Sequence, residues 1–563
     1  MLKYHRTSIF FVLFILLISL TPRLLAIPFG LPMEFDPDER IFTGAALRIV
    51  TQRTLDPSWY GAPASTLIYS LAVLFEISFY VSDFATREAF LQAYQNDVSS
   101  FFMIGRIFSA IIGVLSVLMS YFICLKVGLD RFWSLIASLL ISASPMMLHY
   151  SSIIRMDMLQ IFFSLAFLYL GMKALEDPKP TLFAGLGIYL GLATASKYPA
   201  VVMSLVGIAM VIKLKLCEEI SNRRALYLLY ISITYFFIAM FLSAPFVFLN
   251  FSSTLIQVAQ EARSSHWEFT SAGFVSSLLG YLIDSLPESL SISVVVFGVV
   301  GLTCLTVRKT AWILPASFLI YLLFISLLPL YWPRWVLPLI PLCAIGSIYT
   351  LAITENRMLS YCRTKGVRRT IMGLLQFGIR LIGIVIFIVP VAARGYSEVY
   401  TRATNSDSRV DANEWIIQNI PKNSTVLLET YAPALAVDDF DVVIANNARF
   451  VRWTEVSEDA RPHGFFSSIG TEMKAVERCD ILRALDAAGV NYVVLSSWIR
   501  RFEGLGDAYR FEVGVYQSII DAGEIMKSFI PSKNDAGPPI YIYRVKSAEL
   551  FDGCGLGVWP GKL

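Results

Sequence analysis

Charge is scarce in this sequence for its length. Asp, Glu, Lys and Arg make up 16% of its 563 residues against 56% hydrophobic ones, a balance that excludes a soluble protein of this length. The shortage is even between the signs, with a net charge of +3, and no polybasic patch or long charge run offers nucleic acid a surface. The seven cysteines form no CxxC and no Cys/His metal spacing. Cys124, Cys217, Cys304, Cys343 and Cys362 fall in apolar segments or basic loops, which leaves Cys479 and Cys554 as the pair an oxidising compartment could join. Neither GxGxxG nor GxxxxGK occurs, so no nucleotide site is implied.

What the chain does have is apolar runs of membrane-spanning length. Lys3 and Arg6 precede a run over 9–20 that 24–27 prolong, and no small-residue cleavage site follows, so this reads as an uncleaved first span rather than a signal peptide. Residues 34–100 form a first loop with amphipathic stretches, one mixing Ile41, Leu47 and Ile49 with Arg48 and Arg53, another over 67–84 broken by Glu76 and Asp83. Both read as helices lying along the bilayer surface. Spans follow near 101–125, 132–148, 157–174, 181–195, 199–213, 225–247, 287–307, 311–331, 335–354 and 370–393, about eleven with the first. Arg380 interrupts the last, which makes it either a snorkelling residue or a sign that the span begins later.

Charge supports this order. Lys126 and Arg131, Lys173 and Lys179, the basic residues of 213–224, Arg308 and Lys309, and those of 357–369 fall in alternate loops, as the positive-inside rule requires with the N-terminus inside. The expected fold is a polytopic α-helical membrane domain over 1–393. Beyond Arg394 the composition becomes that of a soluble α/β domain, 394–563, on the outer side. Helices are expected over 411–419, 475–488 and 509–529, and strands over 425–429, 441–445, 492–495 and 540–544.

This topology gathers the chemistry-bearing residues on one face. The stretch Glu34-Phe-Asp-Pro-Asp-Glu-Arg40 opens the first outer loop. Asp36 there suits a helix N-cap, with Pro37 at the first helical position, which leaves Asp38 and Glu39 for other work. Arg155 and Asp157 flank the start of a span, Lys197 splits an apolar run before Tyr198-Pro199, and Arg334 lies between Trp332 and Trp335. Each has a structural reading as well: capping or snorkelling for Arg155 and Asp157, a plain turn for Lys197, an interfacial belt for Tyr331, Trp332, Arg334 and Trp335. His266 stands beside Trp267, where packing or solvation is the ordinary role and metal ligation the rarer one. Taken together, the outer groups suit transfer from a lipid-linked phosphate: cations neutralise the departing phosphate and a carboxylate takes the acceptor's proton.

The order of these features resembles the membrane glycosyltransferases of the GT-C superfamily, in particular the group containing protein O-mannosyltransferases and bacterial aminoarabinose transferases. Asp38-Glu39 is similar to their first-loop acidic motif, Arg155-Met-Asp-Met-Leu159 to a later Asp-led span start, Ala195-Ser-Lys-Tyr-Pro199 to an outer Ser-Lys turn, and Arg334-Trp-Val-Leu-Pro-Leu-Ile-Pro341 to a late span motif. The resemblance implies inverting transfer of a sugar from a polyprenyl-phosphate donor to a lipid, glycan or protein acceptor, on the non-cytoplasmic side of the plasma (inner) membrane. It implies Asp38 as the acceptor-activating residue with Glu39 beside it and Asp157 in support, and Lys197 against the donor phosphate, with Arg334 and Arg155 as further cations. The chain departs from relatives whose first loop carries a phosphate-binding lysine, because the corresponding stretch here is Tyr60-Gly-Ala-Pro-Ala64. Some relatives hold a metal through a histidine where His266 lies, but the partnering acid is missing, so a divalent metal, with His266 as its candidate ligand, is unsupported here and no other cofactor is implied. A transporter or flippase of lipid-linked glycans is the competing class; it would place charges near the midplane and show repeated halves, and neither is evident. A non-catalytic envelope-assembly protein is a third.

Overall fold

The computed structural model describes the chain apart from residues 1, 34–35, 62, 263–270, 405–406, 430, 434, 436–438, 447–448, 453–488, 497–515, 518, 522, 533–536 and 546–563. The expected helix over 475–488, His266, and the Cys479 and Cys554 pair lie outside the described residues.

Two compact units divide it: Met1–Pro28 with Phe42–Tyr400, and Phe29–Ile41 with Thr401–Leu563. The first unit is helical. After α1 (Leu2–Ala26) and α2 (Pro37–Gln52), which begins in the second unit, come α3 (Ser65–Val81) and α4 (Arg87–Asn96). The bundle continues with α5 (Ser99–Val127), α6 (Arg131–Ala143), α7 (Pro145–Ser151), α8 (Asp157–Glu176), α9 (Pro180–Ser196), α10 (Ser204–Leu216) and α11 (Asn222–Ser243). Short α12 (Pro245–Leu249), α13 (Phe251–Glu261), α14 (Phe274–Gly280) and α15 (Leu286–Leu290) lead to α16 (Ile292–Leu305), α17 (Ile313–Leu327), α18 (Leu339–Thr364), α19 (Arg369–Gly383) and α20 (Val389–Thr404).

Each of the expected spans falls on a helix. Among the described residues, six helices are long and apolar enough to cross a membrane, or up to eight if each of two bent pairs counts as one span. Phe10–Ala26, Pro180–Ser196 and Ile313–Leu327 are apolar but shorter. The span expected over 132–148 bends by 63° between α6 and α7, where Pro145 drives Ser144 out of helical geometry. The span expected from 287 bends by 113° at Ser291, whose φ of 107° no L-residue adopts within a helix. Glu76 does not break α3, because Arg87 donates to both of its carboxylate oxygens, at 2.7 and 2.5 Å.

Arg380 does not delay its helix, which runs unbroken over Arg369–Thr404 through a π-helical turn at Ile384–Ile388. Its Nε donates to Glu355 at 3.1 Å, its Nη2 to Asp130 at 3.0 Å, and its guanidinium lies 4.4 Å from the Phe132 ring. Glu355 is buried and also takes bonds from Trp133 and Gln376. A charge inside an apolar run is thus matched by partners from two other helices.

Small residues let helices touch backbone to backbone, as helix association in lipid favours. A Cβ at Gly301 of α16 would sit 1.8 Å from the Gly346 carbonyl oxygen of α18, and one at Gly187 of α9 2.2 Å from the Ser232 carbonyl oxygen of α11. Replacing Gly301 by Ala therefore forces α16 and α18 apart, and overpacking of this kind costs about 1–3 kcal/mol. We expect a clear fall in the thermal unfolding midpoint for Gly301→Ala. Gly373→Ala is the control: its Cβ would meet nothing within 4 Å, so its midpoint should hold. Equal midpoints would show that this contact does not hold the bundle.

In the second unit, α21 (Ser408–Asn419) precedes β1 (Thr425–Glu429), β2 (Asp441–Asn446), β3 (Arg449–Arg452), β4 (Tyr492–Leu495), β5 (Gly523–Phe529) and β6 (Ile540–Val545). They form one sheet of order β3-β2-β1-β4-β6-β5, with β1 parallel to β2 and β4 and the remaining pairs antiparallel. Ala412, Ile416 and Ile420 of the helical segment pack against Val426, Val494 and Ile542 of the sheet. The helix expected over 509–529 is corrected at its end: Gly523 to Phe529 pair antiparallel with β6 as an edge strand. Gly523 stops helical propagation, and a seven-residue edge strand with one bulge carries too little alternation to declare itself.

Candidate active site

The site starts from a helical hairpin. α8 has 20 residues and α9 has 17, joined by only three residues, so α9 must return antiparallel along α8. At 1.5 Å per residue they are about 30 and 26 Å long, and the residue after α9 therefore arrives beside the start of α8. That residue is Lys197, and the first residue of α8 is Asp157. Lys197 Nζ donates to Asp157 Oδ1 at 2.6 Å, and Arg155 Nε contacts Asp157 Oδ2 at 3.3 Å. All three are buried, with side-chain exposures of 1% for Asp157, 3% for Arg155 and 8% for Lys197. At the far end of α8, Glu176 pairs with Lys126 of α5.

Arg334 joins from another element. It lies in the 3-10 turn Pro333–Val336 before α18, with its guanidinium 4.1 Å from the Trp332 ring, and its charge acts on both Asp157 and Lys197. The neighbouring Tyr331 is half-buried and packed: its ring lies 4.6 Å from that of Tyr281, and its hydroxyl bonds Ser285 at 2.7 Å. The result is a buried cluster of Arg155, Asp157 and Lys197, with the half-buried Arg334 adding its charge from nearby.

Burial of unbalanced charge is expensive. Asp157 lowers the cost of burying Lys197 and Arg155, and its place in the first turn of α8 suits an anion. Cations gathered in this way suit an anion whose charge rises as it departs, as a phosphate's does from about −1 as a diester to about −2 as a monoester. Such a site binds the leaving group more tightly than the ground state, which is the condition for catalysis.

Two residues of this region escaped the sequence reading. Gln160, three positions after Asp157 on α8, donates from Nε2 to the Tyr321 hydroxyl of α17 at 3.1 Å, and its Oε1 has no partner among the described residues. A lone Gln in an apolar run, on the same helix face as a charged residue, was the available signal.

Asp36, Asp38 and Glu39 belong to the second unit. Asp36 Oδ1 accepts from the backbone N–H of Asp38 at 2.9 Å, at the start of α2. Asp38 is half-buried and Glu39 fully buried. Among the described residues, no group of three or more His, Cys, Asp or Glu side chains gathers to hold a metal.

Residues 96–247 match the family model described as dolichyl-phosphate-mannose-protein mannosyltransferase. The fold is similar to that of the oligosaccharyltransferase of Archaeoglobus fulgidus in its apo form, at 14% identity, with 91% of this chain and 73% of that one covered and a TM-score of 0.52. It is equally similar to the same organism's AglB in complex with an inhibitory peptide and a dolichol-phosphate, at 13% identity, 92% and 73% coverage and a TM-score of 0.52. ArnT from Cupriavidus metallidurans bound to undecaprenyl phosphate aligns over 94% of this chain and 97% of that one at 12% identity, with a TM-score of 0.48. No curated protein matches the chain by sequence. The family model thus covers Arg155, Asp157 and Lys197, and over nine-tenths of the chain the fold is similar to that of the archaeal oligosaccharyltransferase.

Proposed function

We propose that this protein is a glycosyltransferase that moves a sugar from a polyprenyl-phosphate donor to an acceptor hydroxyl, with inversion, on the non-cytoplasmic side of the plasma membrane. The observation that carries the reading is the buried Arg155–Asp157–Lys197 cluster, with the half-buried Arg334 near enough for its charge to reach it. Lys197, with Arg334 and Arg155, takes the donor phosphate, and Asp157 holds Lys197 and Arg155 in place for it. The acceptor oxygen attacks the anomeric carbon from the face opposite the phosphate. The carbon–oxygen bond to phosphate breaks, its electron pair leaves with the polyprenyl phosphate, and the acceptor proton passes to a carboxylate. By resemblance that carboxylate is Asp38, with Glu39 adjacent and Asp36 capping the helix that carries it. The acceptor is a lipid, a glycan or a protein, and the region 394–563, extracytoplasmic in this reading, bears on which.

The test uses the full chain in lipid nanodiscs with a panel of polyprenyl-monophosphate sugars and the matching diphosphates. Release of polyprenyl monophosphate from at least one monophosphate donor is expected, with transfer of sugar of inverted configuration. Turnover of diphosphate donors alone would overturn the reading.

A further inference from the structure

The loop between α2 and α3 carries a cluster that the reaction scheme does not use. Asp56 Oδ1 accepts from the Ser58 amide at 2.8 Å and from the Tyr60 hydroxyl at 2.5 Å. Asn250, just after α12, donates from Nδ2 to Asp56 Oδ2 at 3.1 Å and to the Tyr60 hydroxyl oxygen at 2.7 Å. Gln257 of α13 accepts from the amides of Tyr60 at 2.6 Å and Gly61 at 3.2 Å. Gly61 sits so close to α13 that a Cβ there would lie 2.9 Å from the Gln257 carbonyl oxygen. Burial, with the Asp56 hydrogen bond adding to it, pushes the Tyr60 phenol up to about 12, so Tyr60 stays a donor throughout the physiological range. The loop is anchored at both its backbone and its side chains.

From this anchored loop, two bonds reach the residues on either side of Lys197. The Tyr198 hydroxyl donates to the Tyr60 carbonyl at 2.7 Å, and Thr66 Oγ1, at the start of α3, bonds Ser196 Oγ at 2.7 Å. Lys197 itself has extended torsions, φ −158° and ψ 122°, between the end of α9 and the 3-10 turn Tyr198–Met203. It is therefore the point in this chain segment where helical geometry does not fix the backbone. Among residues 53–64 the only cation is Arg53. The loop contributes a grip on the lysine of α9, not a lysine of its own.

We propose that Tyr198 and Thr66 are positioning residues that hold Lys197 at the donor phosphate, with the Asp56–Tyr60–Asn250 cluster as their fixed base. This rests on the reading of Lys197 as the residue that binds the phosphate. Losing either bond lets the Lys197 backbone relax and its ammonium drift from the phosphate, while the acceptor side is untouched.

The probe is undecaprenyl phosphate, titrated into the full chain in nanodiscs. A neutral hydrogen bond corresponds to about a threefold to tenfold change in an equilibrium constant, so Tyr198→Phe and Thr66→Val should each raise its dissociation constant by about that factor. The donor KM should rise in parallel and the acceptor KM stay put. The decisive step is a double-mutant cycle with Lys197→Ala: in that background Tyr198→Phe and Thr66→Val should weaken binding no further, because the group they position is gone. A structural contact unrelated to Lys197 would instead add its full loss. Unchanged affinity in both single variants, or additive losses with Lys197→Ala, overturns the proposal. If the unmodified protein does not bind undecaprenyl phosphate, or Lys197→Ala does not weaken binding, it is the functional reading that fails.

Discussion

Asp157→Asn should cost more stability than Lys197→Met, while Lys197→Met should cost more donor binding. The two changes leave different charges behind. Without the Asp157 carboxylate, Lys197 and Arg155 lose the buried acceptor they share, in a region where Asp157 itself is 1% exposed and the charge of Arg334 also acts. Removing one partner of a buried pair typically costs about 3–5 kcal/mol, mostly from the stranded charge. Without Lys197, Asp157 keeps Arg155 at 3.3 Å and the field of Arg334, so the loss should fall to about 1–3 kcal/mol, the range for an unmade charged hydrogen bond. For the phosphate the order reverses. Asp157→Asn retains all three cations, whereas Lys197→Met removes the ammonium whose 2.6 Å contact fixes it within the cluster. A preorganised donor lost from developing negative charge lowers turnover by about 100-fold to 1,000-fold. Thermal unfolding of both variants in one detergent, with turnover of a polyprenyl-phosphate sugar in nanodiscs, separates the two orders. If Lys197→Met proves the less stable variant, the cluster is a structural ion pair and not a phosphate seat.

How far the sequence could foretell this cluster depends on how local its cause is. Apolar runs located the helices, because a bilayer demands length and apolarity that no short loop imitates. The meeting of Asp157 and Lys197 follows from similar arithmetic, two helices of near-equal length joined by three residues. Other features depend on partners far apart in sequence. Arg380 and Asp130 are 250 positions apart, and nothing near either predicts the bond, so an interior charge read as a weak point in a span. The bend at Ser291 arises from a positive φ on a non-glycine residue, which composition does not reveal, whereas the milder bend at Ser144 is announced by Pro145. Gln160 stood in plain view within an apolar run, yet its meaning comes from Tyr321, 161 positions on. The grip on Lys197 is the extreme case: its hydroxyls, at Thr66, Ser196 and Tyr198, are residue types common in any membrane protein and acquire a role through position alone.

Asp38→Asn should lower transfer by about 100-fold to 10,000-fold, the usual contribution of a positioned general base, while undecaprenyl phosphate binding and the unfolding midpoint stay near those of the unmodified protein. The neighbouring carboxylates supply the controls. Asp36 accepts from the Asp38 amide at 2.9 Å, so Asp36→Ala removes a cap worth about 1 kcal/mol, and its activity should fall only as far as its stability does. Glu39 is fully buried where Asp38 is half-buried, so of the two it is the less accessible to an acceptor hydroxyl. Glu39→Gln keeps the shape of the side chain and should reduce transfer far less than Asp38→Asn. Because Asn retains the volume of Asp and the amide that Asp36 caps, a loss confined to Asp38→Asn reports the carboxylate and not the helix. Full activity in Asp38→Asn would remove the base from the scheme, yet the phosphate seat would stand, and the search would pass to Glu39.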